Sequence, residues 1–469
     1  MTTADRVALR DQDPGVDEAA SGLLGRIGEW LLVICFMLVP VLTAWASTTT
    51  IAGLPPIRLL AVALLGLVVL LRHRIGVLVQ VLLVVTAVWL AWGLFLAQGG
   101  PGYKELLGVA VGMVTVITMS MAASSHRWLI LLCRGWLLGM IVTGLPGFAE
   151  LATGKHLPNY LSGSSAWVRR SSVDIASFMV NPNLFAYFLV VGMTVMVVGW
   201  QLETGRVMRI LYFVTALLTP VLVLFTGSRL CLAAVALLFG WMMLRSKVLT
   251  WTVAAVAVLG AVAAVLGGYL PRIMAAITLA IHDLSSTSGQ SRLHLYQNGF
   301  WMLLHSAGLG IGPAQFQTAV LAAPWPTYAS IDPHSGFTEV FTGYGVLIGC
   351  VLLALVTAAV VQAVRGDWRL NPARRGGTPY LQSLLMQAVA VSLLMSPMLA
   401  MANSSFLKGT VVWAQMGSLA VWCQALMSPR RWHLRDGLRI SAGPDGRLSR
   451  RYRLVRRAVS DRALPITHE

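Results

Sequence analysis

Apolar residues run along this chain in blocks of about twenty, separated by short polar stretches rich in Arg, Gly and Pro. A block of about 20 apolar residues spans a bilayer core of about 30 Å. The pattern predicts an all-α, polytopic integral membrane protein with about twelve transmembrane helices. They are expected over residues 27–46, 54–71, 75–96, 106–121, 128–149, 183–200, 210–225, 230–244, 248–269, 336–364, 381–400 and 410–427. Pro55 and Pro56 open the second. Asn181-Pro182-Asn183 opens the sixth, with Asn181 as cap and Pro182 at the first helical position.

Composition agrees with the pattern. The 469 residues are 57% hydrophobic and 11% charged, against about 25% charged in a soluble protein. An ordinary cytosolic enzyme and a disordered chain are both excluded. The net charge of +17 does not indicate nucleic acid, because no zinc finger, RNA-binding motif or aromatic-interleaved basic stripe accompanies it. Cys35, Cys133, Cys231, Cys350 and Cys423 each lie in an apolar stretch, as small residues of helix cores would. Residues 1–26 are polar and mixed in charge, unlike a cleavable signal peptide, and read as a cytoplasmic N-terminal segment.

The basic residues test the span assignment. With the N-terminus in the cytoplasm, Arg72, Arg74, Arg127, Arg206, Arg209 and Arg365 fall inside, as does a basic tail over 428–469 with eleven arginines. That alternation is the positive-inside signature, and the tail suits an anionic leaflet. Residues 27–427 then form the transmembrane domain, with outer loops at 151–181 and 271–335. The second, between helices 9 and 10, is the largest insertion. Functional residues concentrate in such loops.

Several residues are not explained by topology. Arg229 ends Thr226-Gly227-Ser228-Arg229, with Ser228 as N-cap and Arg229 in the first helical turn. Arginine at a helix N-terminus makes an anion site rather than a favourable dipole contact. Arg292 lies in Ser291-Arg292-Leu293-His294-Leu295-Tyr296, within an amphipathic stretch suited to the membrane surface. The cluster Gly308-Leu309-Gly310-Ile311-Gly312 follows no strand and reads as a tight turn. His334 precedes the tenth helix and can accept a proton near neutral pH. Glu339, a carboxylate within the bilayer, is expected to be functional or paired. The two share no helix face unless His334 precedes the helix proper. Gly345 and Gly349 have the spacing of close helix packing. Arg58 and Arg134 call for a buried partner or a phosphate. No metal-ligand spacing emerges among the nine histidines.

Together the Thr-Gly-Ser-Arg turn, the Ser291-Arg292-Leu293 segment leading to Tyr296, the Gly308 to Gly312 turn, and His334-Ser335-Gly336-Phe337 followed by Glu339 and Tyr344-Gly345 resemble the O-antigen ligase and polymerase superfamily. The resemblance implies a GT-C-like membrane glycosyltransferase of the bacterial inner (plasma) membrane, with both termini cytoplasmic. Such enzymes move glycan from a polyprenyl diphosphate carrier at the outer face, inverting the anomeric centre without metal or other cofactor. By resemblance, Arg229 and Arg292 would hold the diphosphate and His334 would assist the acceptor hydroxyl, with Glu339 and Arg58 in support. The implied partners are a polyprenyl-diphosphate-linked oligosaccharide, an acceptor glycan or lipid, membrane lipids, and a flippase and chain-length regulator of the same pathway. Polymerases of exported polysaccharide and ligases acting on another acceptor share these motifs; polymerisation is preferred because it is common in exopolysaccharide pathways. A lipid-linked sugar transporter is the alternative class. The chain shows neither the internal repeat nor the interrupted helix typical of one.

Overall fold

The computed structural model describes residues 23–45, 54–71, 73, 75–123, 125–157, 174–179, 181–245, 287–327, 331–369, 378–402 and 405–427, with isolated positions between 251 and 271. The ninth expected span, Arg169, Arg170, Arg272 and the basic tail lie outside these residues.

The described chain is helical, without a strand. Its helices are α1 (Leu23–Trp45), α2 (Pro56–Leu70), α3 (Val77–Leu96), α4 (Gly99–Ala122), α5 (His126–Thr153), α6 (Pro182–Leu202), α7 (Arg206–Phe225) and α8 (Arg229–Arg245). Then come α9 (Thr287–His305), the short α10 (Phe316–Ala319), α11 (Gly336–Arg369), α12 (Thr378–Ala402) and α13 (Thr410–Met427). Among the described residues, eight helices are long and apolar enough to cross a membrane: α1, α3 to α7, α11 and α12. α2, with 15 residues, and the 17 described residues of α8 are shorter apolar helices.

Local sequence sets several boundaries. The Asn181 side chain accepts from Asn183 N at 2.8 Å and Pro182 takes the first helical position, as expected. Pro56 plays the same part in α2. Gly154, at φ +67, ends α5 in a left-handed cap.

α6 runs through the centre, with nearly every residue from Phe185 to Gly199 buried. α5, α7, α8, α12 and α13 pack against it, and α1 packs on α5, α2 and α13. α3 buries only Val79, Trp89 and Gly93, and turns the rest of its apolar surface outward. Lipid is as apolar as leucine, so the inner helices are held by close packing. A Cβ on Gly135 would stand 2.6 Å from Met37 O, so the α1–α5 contact requires glycine there.

Polar contacts identify the two ends of the bundle. At one, Arg134 pairs with Glu203 at 3.1 Å, which supplies the partner that Arg134 calls for. At the other gather the starts of α2, α4, α6, α8, α11 and α13. Cys133 and Cys231 are buried, but Cys350 is exposed on α11, so the expectation of a helix-core position fails there.

α11 departs most from expectation. Gly345 has φ 78 and ψ −177, and the helix is broken at that point. Gly345 is therefore a hinge in the backbone rather than a helix-packing contact. The Gly308 to Gly312 turn fills the break. Ile311 N donates to Thr342 O at 2.8 Å, Gly312 N to Gly343 O at 3.0 Å, and Val346 N to Gly308 O at 2.8 Å. Trp92 Nε1 takes the Tyr344 carbonyl at 2.8 Å. Non-helical backbone inside a membrane domain persists only where protein satisfies its polar groups, and these four bonds do so. A Cβ on Gly345 would lie 2.3 Å from Leu309 O. The absence of an interrupted helix, used above against a transporter, does not hold.

Candidate functional site

His334 lies two residues before α11, outside the helix, with φ 46. A left-handed histidine is strained, and its surroundings hold it there. The Tyr296 hydroxyl donates to the His334 carbonyl at 3.1 Å. Gln317 Nε2 donates to the neighbouring Asp332 carboxylate at 2.5 Å. His334 Nδ1 is buried, with no hydrogen-bond partner. Burial lowers the imidazole pKa, the Arg292 guanidinium lowers it further, and Asp332 opposes both. The ring is thus biased to its neutral, proton-accepting form.

α9 supplies the wall of this cup. Arg292 and Tyr296 are one turn apart on it and both face His334. The helix is tied to the segment 325–327 by three side chains. Asn298 Nδ2 donates to Trp325 O at 2.7 Å, and Trp325 N donates back to Asn298 Oδ1 at 3.1 Å. Ser291 Oγ donates to Thr327 O at 2.8 Å, and His294 Nδ1 lies 2.6 Å from Pro326 O. The buried face of α9 includes Leu295, Asn298 and Met302, while Leu293, Phe300 and Leu304 are exposed. That outward apolar stripe is the amphipathic pattern expected of a helix on a membrane surface.

Arg229 is the first residue of α8, as expected. The Thr226-Gly227-Ser228 turn is tight: Gly227 has φ 68, and Thr226 Oγ1 accepts from Ser228 N at 3.3 Å. A Cβ on Gly227 would lie 2.9 Å from an Asp174 carboxylate oxygen. The segment 174–179 is held there by Ile175 N donating to Phe225 O and by Glu150, which accepts from Ala176 N at 2.8 Å and Ser177 N at 3.1 Å. The contacts described join Arg292 to His334; those around Arg229 lead instead to the 174–179 segment.

Glu339 is buried and fully occupied. Its carboxylate accepts from Ser405 Oγ at 2.6 Å, Phe406 N at 2.5 Å and Leu407 N at 3.0 Å. It clamps the turn that leads into α13. Arg58 lies in a cavity with Lys104, Glu105 and Lys408, beside the clamp rather than in the His334 cup. Tyr344 ties this cavity to the Gly345 break, since its hydroxyl donates to Glu105 Oε1 at 3.0 Å.

None of Lys104, Lys408, Glu105 and Glu150 is singled out by the sequence pattern. The available signal was the one that exposed Glu339: a carboxylate inside an apolar helix is seldom idle.

Residues 212–354 match the family model for O-antigen ligase, so this stretch of the chain is similar to that family. The matched stretch takes in Arg229, Arg292, His334, Glu339 and the Gly345 break. No curated protein matches the chain.

Proposed function

We propose that the protein is a membrane glycosyltransferase that moves a polyprenyl-diphosphate-linked oligosaccharide at the outer face of the bacterial inner membrane, both termini being cytoplasmic. The observation that carries this reading is the buried, unpartnered Nδ1 of His334 beside Arg292. A neutral imidazole in that place takes the proton of an acceptor hydroxyl. The hydroxyl oxygen attacks the anomeric carbon, the bond from that carbon to the diphosphate oxygen breaks, and polyprenyl diphosphate departs. A single displacement of this kind inverts the centre. Arginine stays charged and meets phosphate oxygens in a bidentate fork. Arg292 and Arg229 therefore stabilise the leaving group without a metal. Glu339 supports the site by fixing the turn before α13, and Arg58 by lining the neighbouring basic cavity.

The preferred outcome is polymerisation of repeat units of an exported or surface polysaccharide, with a GT-C-like arrangement and with a flippase and chain-length regulator as partners. Ligation to another glycan, lipid or protein uses the same residues. The break at Gly345 specifically favours a second reading, a carrier for lipid-linked sugar, because interrupted helices line transport sites. Purified protein incubated with a polyprenyl-diphosphate-linked repeat unit distinguishes the three. A ladder of lengthened lipid-linked chains is the expected result. Transfer only after a second acceptor is added means ligation. No transfer, with movement of the lipid across liposomes, overturns the enzyme reading.

A further inference from the structure

A second cationic site lies apart from the His334 cup, where α2, α4 and α13 begin. A cavity of about 180 Å³ opens there, lined by Arg58, Lys104, Lys408, Glu105, Thr43 and Thr410 among others. Three cations face one carboxylate. Among the described residues, none of the three cations has a hydrogen-bonded acid partner, although the Arg134–Glu203 pair shows that the fold can supply one. Glu105 is committed to the Tyr344 hydroxyl. Thr43 is 2% exposed, yet its hydroxyl has no hydrogen-bond partner. Thr410 Oγ1 instead donates to Thr43 O at 3.0 Å, which closes the α1–α13 side of the cavity. Three cations against one carboxylate, which Lys408 already attracts, leave an excess of positive charge, and with the unsatisfied buried hydroxyl they are the donor set an oxyanion requires. The first turns of α2 and α13 add the positive ends of their dipoles.

The geometry points to a phosphate-binding site formed by Arg58, Lys104, Lys408 and Thr43, separate from the histidine–arginine cup. Arg58 supplies the fork, and the two lysines supply point charges at the mouth, where both side chains are exposed. Lys408 is placed by the Glu339 clamp, since the clamped turn immediately precedes it. The phosphate arrives either as the headgroup of a membrane lipid or as a free or sugar-borne group.

Purified full-length protein in detergent micelles is titrated with inorganic phosphate and, separately, with dihexanoylphosphatidic acid, by isothermal calorimetry. Arg58→Ala and Lys408→Ala are each expected to weaken binding about tenfold or more, as loss of a charge-assisted contact should, and Arg58→Lys to recover part of it. Arg292→Ala should leave this binding in place. Binding of phosphate itself identifies a free or sugar-borne group as sufficient; binding of the lipid alone identifies a headgroup. Thermal unfolding of each variant without probe confirms that it is folded. Failure of both probes to bind, or equal binding in Arg58→Ala, Lys408→Ala and the parent, overturns the site. No glycan transfer is needed for the readout, so the result stands whether or not the protein is a glycosyltransferase.

Discussion

Glu339 offers a direct test of whether an intramembrane carboxylate here shapes the site or reacts in it. Its carboxylate accepts from Ser405 Oγ, Phe406 N and Leu407 N. Glu339→Ala strips all three donors of their acceptor. Ser405 can rotate its hydroxyl elsewhere, but the two backbone N–H groups cannot move without undoing the turn. A hydrogen bond to a charged group contributes about 1.5–3 kcal/mol, so the two N–H groups together set a loss of roughly 3–6 kcal/mol. Phe406 is only half-buried, which admits water and favours the lower end, about 3 kcal/mol. Glu339→Gln keeps an oxygen for the two N–H groups and turns an amide toward Ser405, so its loss should be about 1 kcal/mol. Unfolding in mixed micelles with increasing denaturing detergent, followed by circular dichroism, measures both variants. The glutamine variant should retain most of its turnover. An alanine variant as stable as the parent would refute the clamp. So would a glutamine variant of normal stability and no turnover, because the carboxylate would then act on substrate.

The lowered His334 pKa places the acid limb of the rate below histidine's usual 6.5, so activity is retained above it and falls as pH drops through the shifted value. Arg292→Gln removes a group that disfavours protonation and should move that limb to higher pH, whereas Asp332→Asn should move it lower; the same limb in all three proteins would discard His334 as the base. Arg229→Ala should abolish transfer in a folded protein and Arg229→Lys restore it partly, measured as product per minute; full activity in the alanine variant removes Arg229 from diphosphate binding. Gly345→Ala places a Cβ 2.3 Å from Leu309 O at a backbone angle only glycine adopts readily, so the strain of about 1–3 kcal/mol plus the overlap should reduce the yield of monodisperse protein. A reporter fused after Asp283 should read as outside the cytoplasm, and a cytoplasmic signal would reverse the topology.

What the sequence made legible was local or periodic. The Asn181 cap, the start of α8 at Arg229 and the position of His334 ahead of α11 each depend on a few adjacent residues, and all three are found. The span lengths were read less well. α4 begins at Gly99, several residues before its expected start, and so carries Lys104 and Glu105 into the helix. Partnerships across the bundle were illegible. Nothing near Arg134 announces Glu203, and nothing near Glu339 announces the 405–407 turn, since each pairing spans more than 60 residues. The Gly345 break was missed for a different reason. A glycine four residues from another fits close helix packing as well as a left-handed hinge, and only the second chain segment lodged against it separates the two.

That lodged segment also sets an inserted stretch apart from the bundle that carries it. The bonds from Gly308, Ile311 and Gly312 to residues 342–346 fasten the two ends of the excursion 313–341 together at the wall of the bundle. The closure cost of such a loop grows only slowly with its length, by about 0.6 kcal/mol per doubling. Length and sequence between the anchors can therefore change while the scaffold stays as it is. The excursion carries His334 and the 325–327 segment that docks on α9, so a chain exchanged between the two glycine anchors would replace one wall of the cup as a cassette while Arg292, Tyr296 and the bundle stay unaltered.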